Sequence, residues 1–310
     1  MRILLAYDGS EFAAAALADL KNAGLGAEAE VLVLSIADVF LPPANVEDGS
    51  EESSTYVPEG VRSALERAQQ KLDEAKTLAQ AAADQIRSAF PTWLVSHDAQ
   101  ADSPAWAILR TADEWKPVLI MLGARGHSVF GGRLILGSVS QRVLYEAFCS
   151  VRIARDPVRN IVGPVRILIG VDRSEDSTAA VEAVCRRSWP KGSEVALLSV
   201  VDTVMAVNSA AEQSVVKWIE VADEENWQQV REVFAPEAQK LRDAGLHVDV
   251  LVRRGSPADQ ILEEANTWGA DCIFLGAKGM RGIERLMLGS VSSAVAARAL
   301  CTVEVVRVMK

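Results

Sequence analysis

Hydrophobic positions along this chain fall into short blocks separated by longer amphipathic stretches. ILLAY at 3–7, VLVLSI at 31–36, LVSH at 94–97 and VLIML at 118–122 are rich in branched aliphatic residues. Runs of that length and composition predict parallel strands covered on both faces. Between and after them, residues 11–24, 61–89, 104–115 and 138–148 predict helices. The longest, ALERAQQKLDEAKTLAQAAADQI at 64–86, is polar on one side and carries Leu and Ala on the other, the pattern of a crossover helix lying on a sheet. Strands alternating with helices build right-handed βαβ units, so the fold class expected is α/β with a doubly wound, Rossmann-like parallel sheet.

The same plan occurs twice. ILLAYDGSEFAAAAL at 3–17 aligns with ILIGVDRSEDSTAAV at 167–181, and VLVLSIAD at 31–38 with VALLSVVD at 195–202, both at an offset of 164. ADSPAWAIL at 101–109 aligns with GSPADQIL at 255–262, and GARG at 123–126 with GAKG at 276–279, at 153; LGSVS at 136–140 and at 288–292 gives 152. The order never changes and the offset shifts only twice, so two insertions in the first copy explain the whole alignment. Strands are expected in the second copy near 165–171, 194–201, 247–253, 271–275 and 302–308, with Pro236 ending or kinking its middle helix. Two tandem domains follow, 1–156 and 164–310, joined by the linker DPVRNIVGP at 156–164. The segment 41–60, rich in Pro, Ser, Gly and acid, reads as a solvated loop, with a lid over the strand ends as the alternative.

Composition narrows the partners. The 310 residues are 49% hydrophobic and 24% charged, with a formal charge of −10 and a pI near 5.0. That balance argues against nucleic acid as the main partner, since such binding relies on Lys and Arg at backbone phosphates. No run reaches the roughly 18 apolar residues of a membrane span, and the start MRILLAYD meets Asp8 before a secretory core can form, so no membrane partner and a cytoplasmic location are expected. Cys149, Cys185, Cys272 and Cys301 are scattered without metal-ligand spacing and read as free thiols.

In an open parallel sheet, ligands bind beyond the carboxyl ends of the strands where the strand order reverses. The first strand of each copy ends in Asp8 or Asp172, followed by Ser10 or Ser174 as the helix N-cap; the second ends at Ile36 or Val200. The fourth runs into a glycine loop, Gly276-x2-Gly279-x9-Gly289-Ser290, after which a helix opens. Glycines let the backbone approach an anion, and the first amides of the helix lack internal partners, so the pattern suits a phosphate cradle. Arg125, Lys278, Arg133 and Arg285 lie in or beside the two loops. Turn glycines, helix-capping aspartates and solvated surface cations are the plainer readings of the same residues.

Strand, G-x2-G-x9-G-S, helix, with Asp closing the first strand, resembles the ATP-binding branch of the universal stress protein family in its tandem form, and the resemblance spans the chain apart from 41–60 and the linker. It implies an adenine nucleotide as cofactor, ATP foremost and with Mg, while ADP and cyclic AMP remain open. It implies that Asp172 holds ribose or base, that Val200 contacts adenine through its backbone, and that Gly276, Gly279, Gly289, Ser290 and Val291 surround the phosphates. The matching first-copy positions are Asp8, Ile36, Gly123, Gly126, Gly137, Ser138 and Val139, where ten residues rather than nine separate Gly126 from Gly137. The second site is therefore expected to be the more complete one.

The resemblance further implies a stress adaptation or signalling role with an unidentified protein partner. It implies that the two domains pair through their last strands, VRIAR at 151–155 and VEVVRV at 303–308, as an internal pseudo-dimer, with a homodimer of chains left open. No Walker A sequence, evident base or carboxylate set for magnesium is present, so at most slow hydrolysis is expected of a binding protein rather than an enzyme. A stress scaffold of the same fold that binds no nucleotide is the alternative. An adenylating pyrophosphatase lacks its SGGxDS-like loop here, and a dehydrogenase its GxGxxG.

Overall fold

The computed structural model describes residues 1–39, 59–126, 136–155, 163–201, 227–228, 231–279 and 288–308. The first half runs β1 Arg2–Ala6, α1 Glu11–Asp19, β2 Glu30–Ala37, α2 Glu59–Ala89, β3 Leu94–Ala101, α3 Pro104–Trp115, β4 Leu119–Gly123, α4 Ser138–Glu146 and β5 Ser150–Ala154. The second runs β6 Arg166–Val171, α5 Glu175–Cys185, β7 Glu194–Val201, α6 Ala235–Asp243, β8 His247–Arg254, α7 Pro257–Trp268, β9 Cys272–Gly276, α8 Ser290–Arg298 and β10 Thr302–Val306. Residues 231–233 are helical, the run breaks at Phe234 and α6 begins at Ala235, so the helix is interrupted as expected at Pro236, which sits in the first turn of α6 where its missing N–H costs nothing. The loop expected at 41–60 falls outside the described residues as far as 58, the linker between 156 and 162.

All ten strands form one sheet in the order β3-β2-β1-β4-β5-β10-β9-β6-β7-β8. Every pairing is parallel except β5 with β10, which meet antiparallel with Arg152 opposite Glu304. Each half is thus a doubly wound sheet whose order reverses at β1/β4 or β6/β9. The expected pairing through the last strands is what joins the halves.

Period-two alternation sorts the strand side chains between two layers. On one face Leu4, Ile120, Val151 and Ile153 join Leu168, Ile273, Val303 and Val305 in a core continuous across both halves, covered by α3, α4, α7 and α8. On the other face Ile3, Leu5, Val31 and Val33 pack under α1 and α2, while Ile167, Ile169, Val195 and Phe274 pack under α5 and α6. The buried stripe of α2 is almost all alanine, Ala68, Ala75, Ala79, Ala82 and Ala83 with Ile86, so the helix can lie close on the sheet.

A reciprocal cap closes the seam. Arg155, just beyond β5, donates through Nη2 to the carbonyls of Ala297, at 2.8 Å, and Ala296 in the last turn of α8. Arg307, just beyond β10, donates to the Leu144 carbonyl in the last turn of α4 at 2.8 Å. Each half therefore satisfies the orphan carbonyls and negative dipole end of the other half's final helix.

Candidate functional site

The reversal point of the second half opens into a cleft of 620 Å³. Asp172, at the end of β6, and Val200, near the end of β7, border it. Gly276, Gly279, Gly289, Ser290 and Val291 border it as well, so all seven residues expected in this half converge there. The sequence reading did not single out Gly170, Ser177, Ser256, Ile261, Leu275 or Ser292, which also line it. Gly170 left one trace: the first copy has Ala6 at that position, whereas a Cβ at Gly170 would fall 2.5 Å from Leu275 Cδ2.

The aspartates do not cap helices themselves. Ser174 is the N-cap of α5, its side chain accepting from the Ser177 amide, and Asp172 Oδ1 accepts from the Ser174 amide at 3.0 Å and from Ser174 Oγ at 2.6 Å. Asp8 and Ser10 repeat this with the same two distances. The aspartate is thus locked through one oxygen, and Oδ2 lies against the glycine loop: a Cβ on Gly279 would be 2.6 Å from Asp172 Oδ2, and one on Gly126 2.6 Å from Asp8 Oδ2. The residue after the aspartate is left-handed in both halves, Gly9 at φ 78 and Arg173 at φ 68. Only the second half places a side-chain-bearing residue in that conformation, which is a strained one.

Gly276, Gly279 and Gly289 all border the cleft and differ in what a side chain at each position would meet. A Cβ on Gly276 would sit 2.5 Å from the Asp176 carbonyl carbon and 2.6 Å from the Ser177 nitrogen, so this glycine lets β9 pack against α5. Gly123 does the same against Phe12. The Gly289 amide is already spent on the Ala277 carbonyl at 2.7 Å, and that of Gly137 on Ala124 at 2.9 Å. The Ala277 amide goes to Val306 and the Lys278 amide to Asp176 Oδ2 at 2.9 Å. Burial pushes the Asp176 carboxyl up, partly countered by that amide and by the Lys278 charge.

What remains open is the helix start. Gly289 is the N-cap of α8 and supplies no side-chain cap, unlike Ser174 at α5. The first backbone bond of α8 runs from the Ser293 amide to the Gly289 carbonyl at 3.0 Å, so the amides of Ser290, Val291 and Ser292 precede the ladder. All three residues border the cleft, where the positive end of the helix dipole also points. Gly137 leads α4 in the same uncapped way, with Ser138 and Val139 as its first residues.

The first-half residues also come together, Asp8 beside Gly126 and Gly137 beside Arg125, with Ile36 and Val139 packed on the shared core. At the loop exit Ser140 Oγ donates to the Ala124 carbonyl, whereas its equivalent Ser292 donates to Gly276, one position earlier in the repeat. The additional first-copy residue, His127 and Arg133 fall among residues 127–136, of which 127–135 lie outside the described chain, as does Arg285. The thiols read as free are so: burial pushes Cys149 up to about 11, and Cys272 and Cys301 up to about 12, which removes thiolate character.

Comparison with known proteins follows the repeat. Universal stress protein YxiE of Bacillus subtilis is 26% identical over 145 residues, 46% of this chain and 98% of that protein. Universal stress protein MJ0531 of Methanocaldococcus jannaschii is 31% identical over 142 residues, 46% of this chain and 81% of that protein. The crystal structure of a universal stress protein from Archaeoglobus fulgidus matches 99% of this chain and 98% of its own with a TM-score of 0.64, at 23% identity, which speaks for the fold. The universal stress protein family profile matches twice, over residues 1–155 and again over 165–307, and the chain belongs to that family.

Proposed function

We propose that this protein binds adenine nucleotide, ATP foremost, in the cleft of its second half and acts in stress adaptation or signalling through the bound state. One observation carries the reading: the start of α8 at Ser290, Val291 and Ser292, uncapped by a side chain, borders the same cleft as Asp172 and Val200. Helix amides without intrahelical partners suit an anion, and Lys278, which lines the same cleft, adds a positive charge. Asp172, locked by Ser174, presents an acceptor suited to ribose hydroxyls, and the end of β7 offers backbone groups to the base edge. The apolar lining of Leu198, Leu275 and Ile261 suits a purine face.

The described residues hold no group of three or more His, Cys, Asp and Glu able to hold a metal ion, so magnesium belongs on the nucleotide phosphates in this reading. At most slow hydrolysis is part of the proposal: Asp172, the carboxylate in the described lining, is engaged through Oδ1 by the Ser174 amide and hydroxyl. Each half is proposed as one domain, 1–156 and 164–310. Among the described residues no helix is long and apolar enough to cross a membrane; a cytoplasmic location is part of this proposal.

A nucleotide-free scaffold is the second reading, and it rests on the three loop amides already engaged, those of Ala277, Lys278 and Gly289. The two separate in one experiment. The purified protein is denatured, released small molecules are identified by mass spectrometry, and ATP is titrated into the emptied, folded protein. Binding is expected; none at millimolar ATP rejects it in favour of the scaffold.

A further inference from the structure

Because β5 and β10 meet antiparallel, a pseudo-twofold axis passes through the seam and matching positions of the two halves face one another. Arg152 and Glu304 are such a pair, the third residue of each strand. Two more matching pairs touch nearby: Arg187 Nη1 donates to the Ala23 carbonyl at 2.8 Å, and the Ser188 amide to the Gly24 carbonyl at 2.8 Å. At all three places the residues differ between the halves, and at Arg152–Glu304 and Arg187–Ala23 the contact is made by a side chain that its counterpart lacks.

The axial charges form one buried chain. Arg152 Nε and Nη2 donate to the two oxygens of Asp19 at 2.5 and 3.1 Å, and Nη1 donates across the axis to Glu304 Oε2 at 3.1 Å. Glu304 Oε1 accepts from Arg187 Nη2. The Phe274 ring lies beside both guanidiniums, 5.7 Å from Arg152 and 5.0 Å from Arg187. The Arg152, Asp19 and Glu304 side chains are at most 3% exposed.

Charge is balanced inside each half, Asp19 with Arg152 in the first and Arg187 with Glu304 in the second. Hydrogen bonding across the axis is not. Two first halves placed on this axis bring two Nη1 donors face to face, and two second halves bring two Oε2 acceptors face to face, each buried without a partner. Shape agrees: Trp189 packs so closely on Gly24 that a Cβ there would lie 2.9 Å from its ring, and in a pairing of two second halves Ser188 would take the place of Gly24.

We infer that the β5/β10 surface is selective for the unlike half, and that the Asp19–Arg152–Glu304–Arg187 chain excludes pairing of like halves between molecules. Buried ion chains often add little stability beyond an apolar replacement, which leaves partner choice as their effect.

The test uses the full chain with a protease site placed within 156–162, cleaved after folding, then denatured and refolded at micromolar concentration. Native mass spectrometry separates the three pairings because the halves differ in mass. With the native axis, unlike pairs should exceed the statistical share over like pairs by at least about tenfold. D19L/R152M/R187M/E304L should drift toward about two unlike pairs for each of the two like pairs, as random association gives. Should that variant not fold, R152K keeps a cation on Asp19 but gives up the fork to Glu304, and its like pairs should rise. Statistical pairing with the native axis, unlike pairs alone in a folded apolar variant, no rise in R152K, or halves that separate without pairing would each overturn the inference.

Discussion

Gly279→Ala is the substitution that isolates the proposed site from the fold. Its backbone is not in the left-handed region, so alanine meets no backbone penalty; the new Cβ meets Asp172 Oδ2 at 2.6 Å where ordinary contact begins at 3.4 Å. A separation of about 0.8 Å must be found by moving the loop or the carboxylate, since carbon and oxygen repel steeply at shorter range. Asp172 cannot turn away without breaking the bonds from the Ser174 amide and hydroxyl to Oδ1. The loop therefore shifts relative to the ribose acceptor, and groups that must hold one ligand together no longer match its length. Affinity for ATP should fall at least about tenfold, roughly 1.4 kcal/mol. Calorimetric titration of the parent, Gly279→Ala and the control Gly26→Ala, whose Cβ meets nothing within 4 Å, reads this directly. A folded Gly279→Ala protein that binds within twofold of the parent would refute the reasoning, because Asp172 and the loop would then not grip the same molecule.

Gly276→Val, one turn of chain away, should instead lower the urea midpoint of the second half, since its Cβ would overlap the Asp176–Ser177 backbone; an unchanged midpoint with lost binding would assign that glycine to the ligand after all. Lys116 caps α3 at φ 53 where the repeat has Gly269 at φ 71, so Lys116→Gly should stabilise by about 1 kcal/mol in urea melts, and a loss would show that its cap is not strained. Arg152→Ala leaves Asp19 and the axial oxygen of Glu304 buried without their cation and should cost about 3–5 kcal/mol; a cost under about 1 kcal/mol would mean the chain of charges is hydrated or dispensable. Asp176 carries a raised pKa through burial, so its contribution to stability is full below the ordinary carboxylate range and is lost as pH rises through the raised value. Asp176→Asn, whose amide oxygen can still accept from Lys278, should therefore gain on the parent from acid to neutral pH, and a difference that shrinks with pH would contradict the burial argument.

Much of this architecture was already in the order of residues. Short aliphatic runs flanked by amphipathic stretches specify buried parallel strands and crossover helices, and their duplication specified two such sheets, because period and hydrophobicity act locally. The aspartate with its serine two positions on, and the glycine loop ahead of a helix, were legible for the same reason: their bonds join neighbours in the chain. What a glycine is for was not. Gly276 and Gly279 look alike in sequence, yet one faces the Asp176 backbone and the other the Asp172 carboxylate, and only packing between β9, β6 and α5 separates those roles. The availability of the loop amides was equally hidden, since Gly289 and Lys278 donate to Ala277 and Asp176, leaving the first turn of α8 as the open donors. Most remote of all was the axial chain, whose members lie 133 and 152 positions apart and become neighbours only when two sheets meet edge to edge. Local patterns set elements and turns; the partners of a buried charge are set by which surfaces the finished sheets bring together.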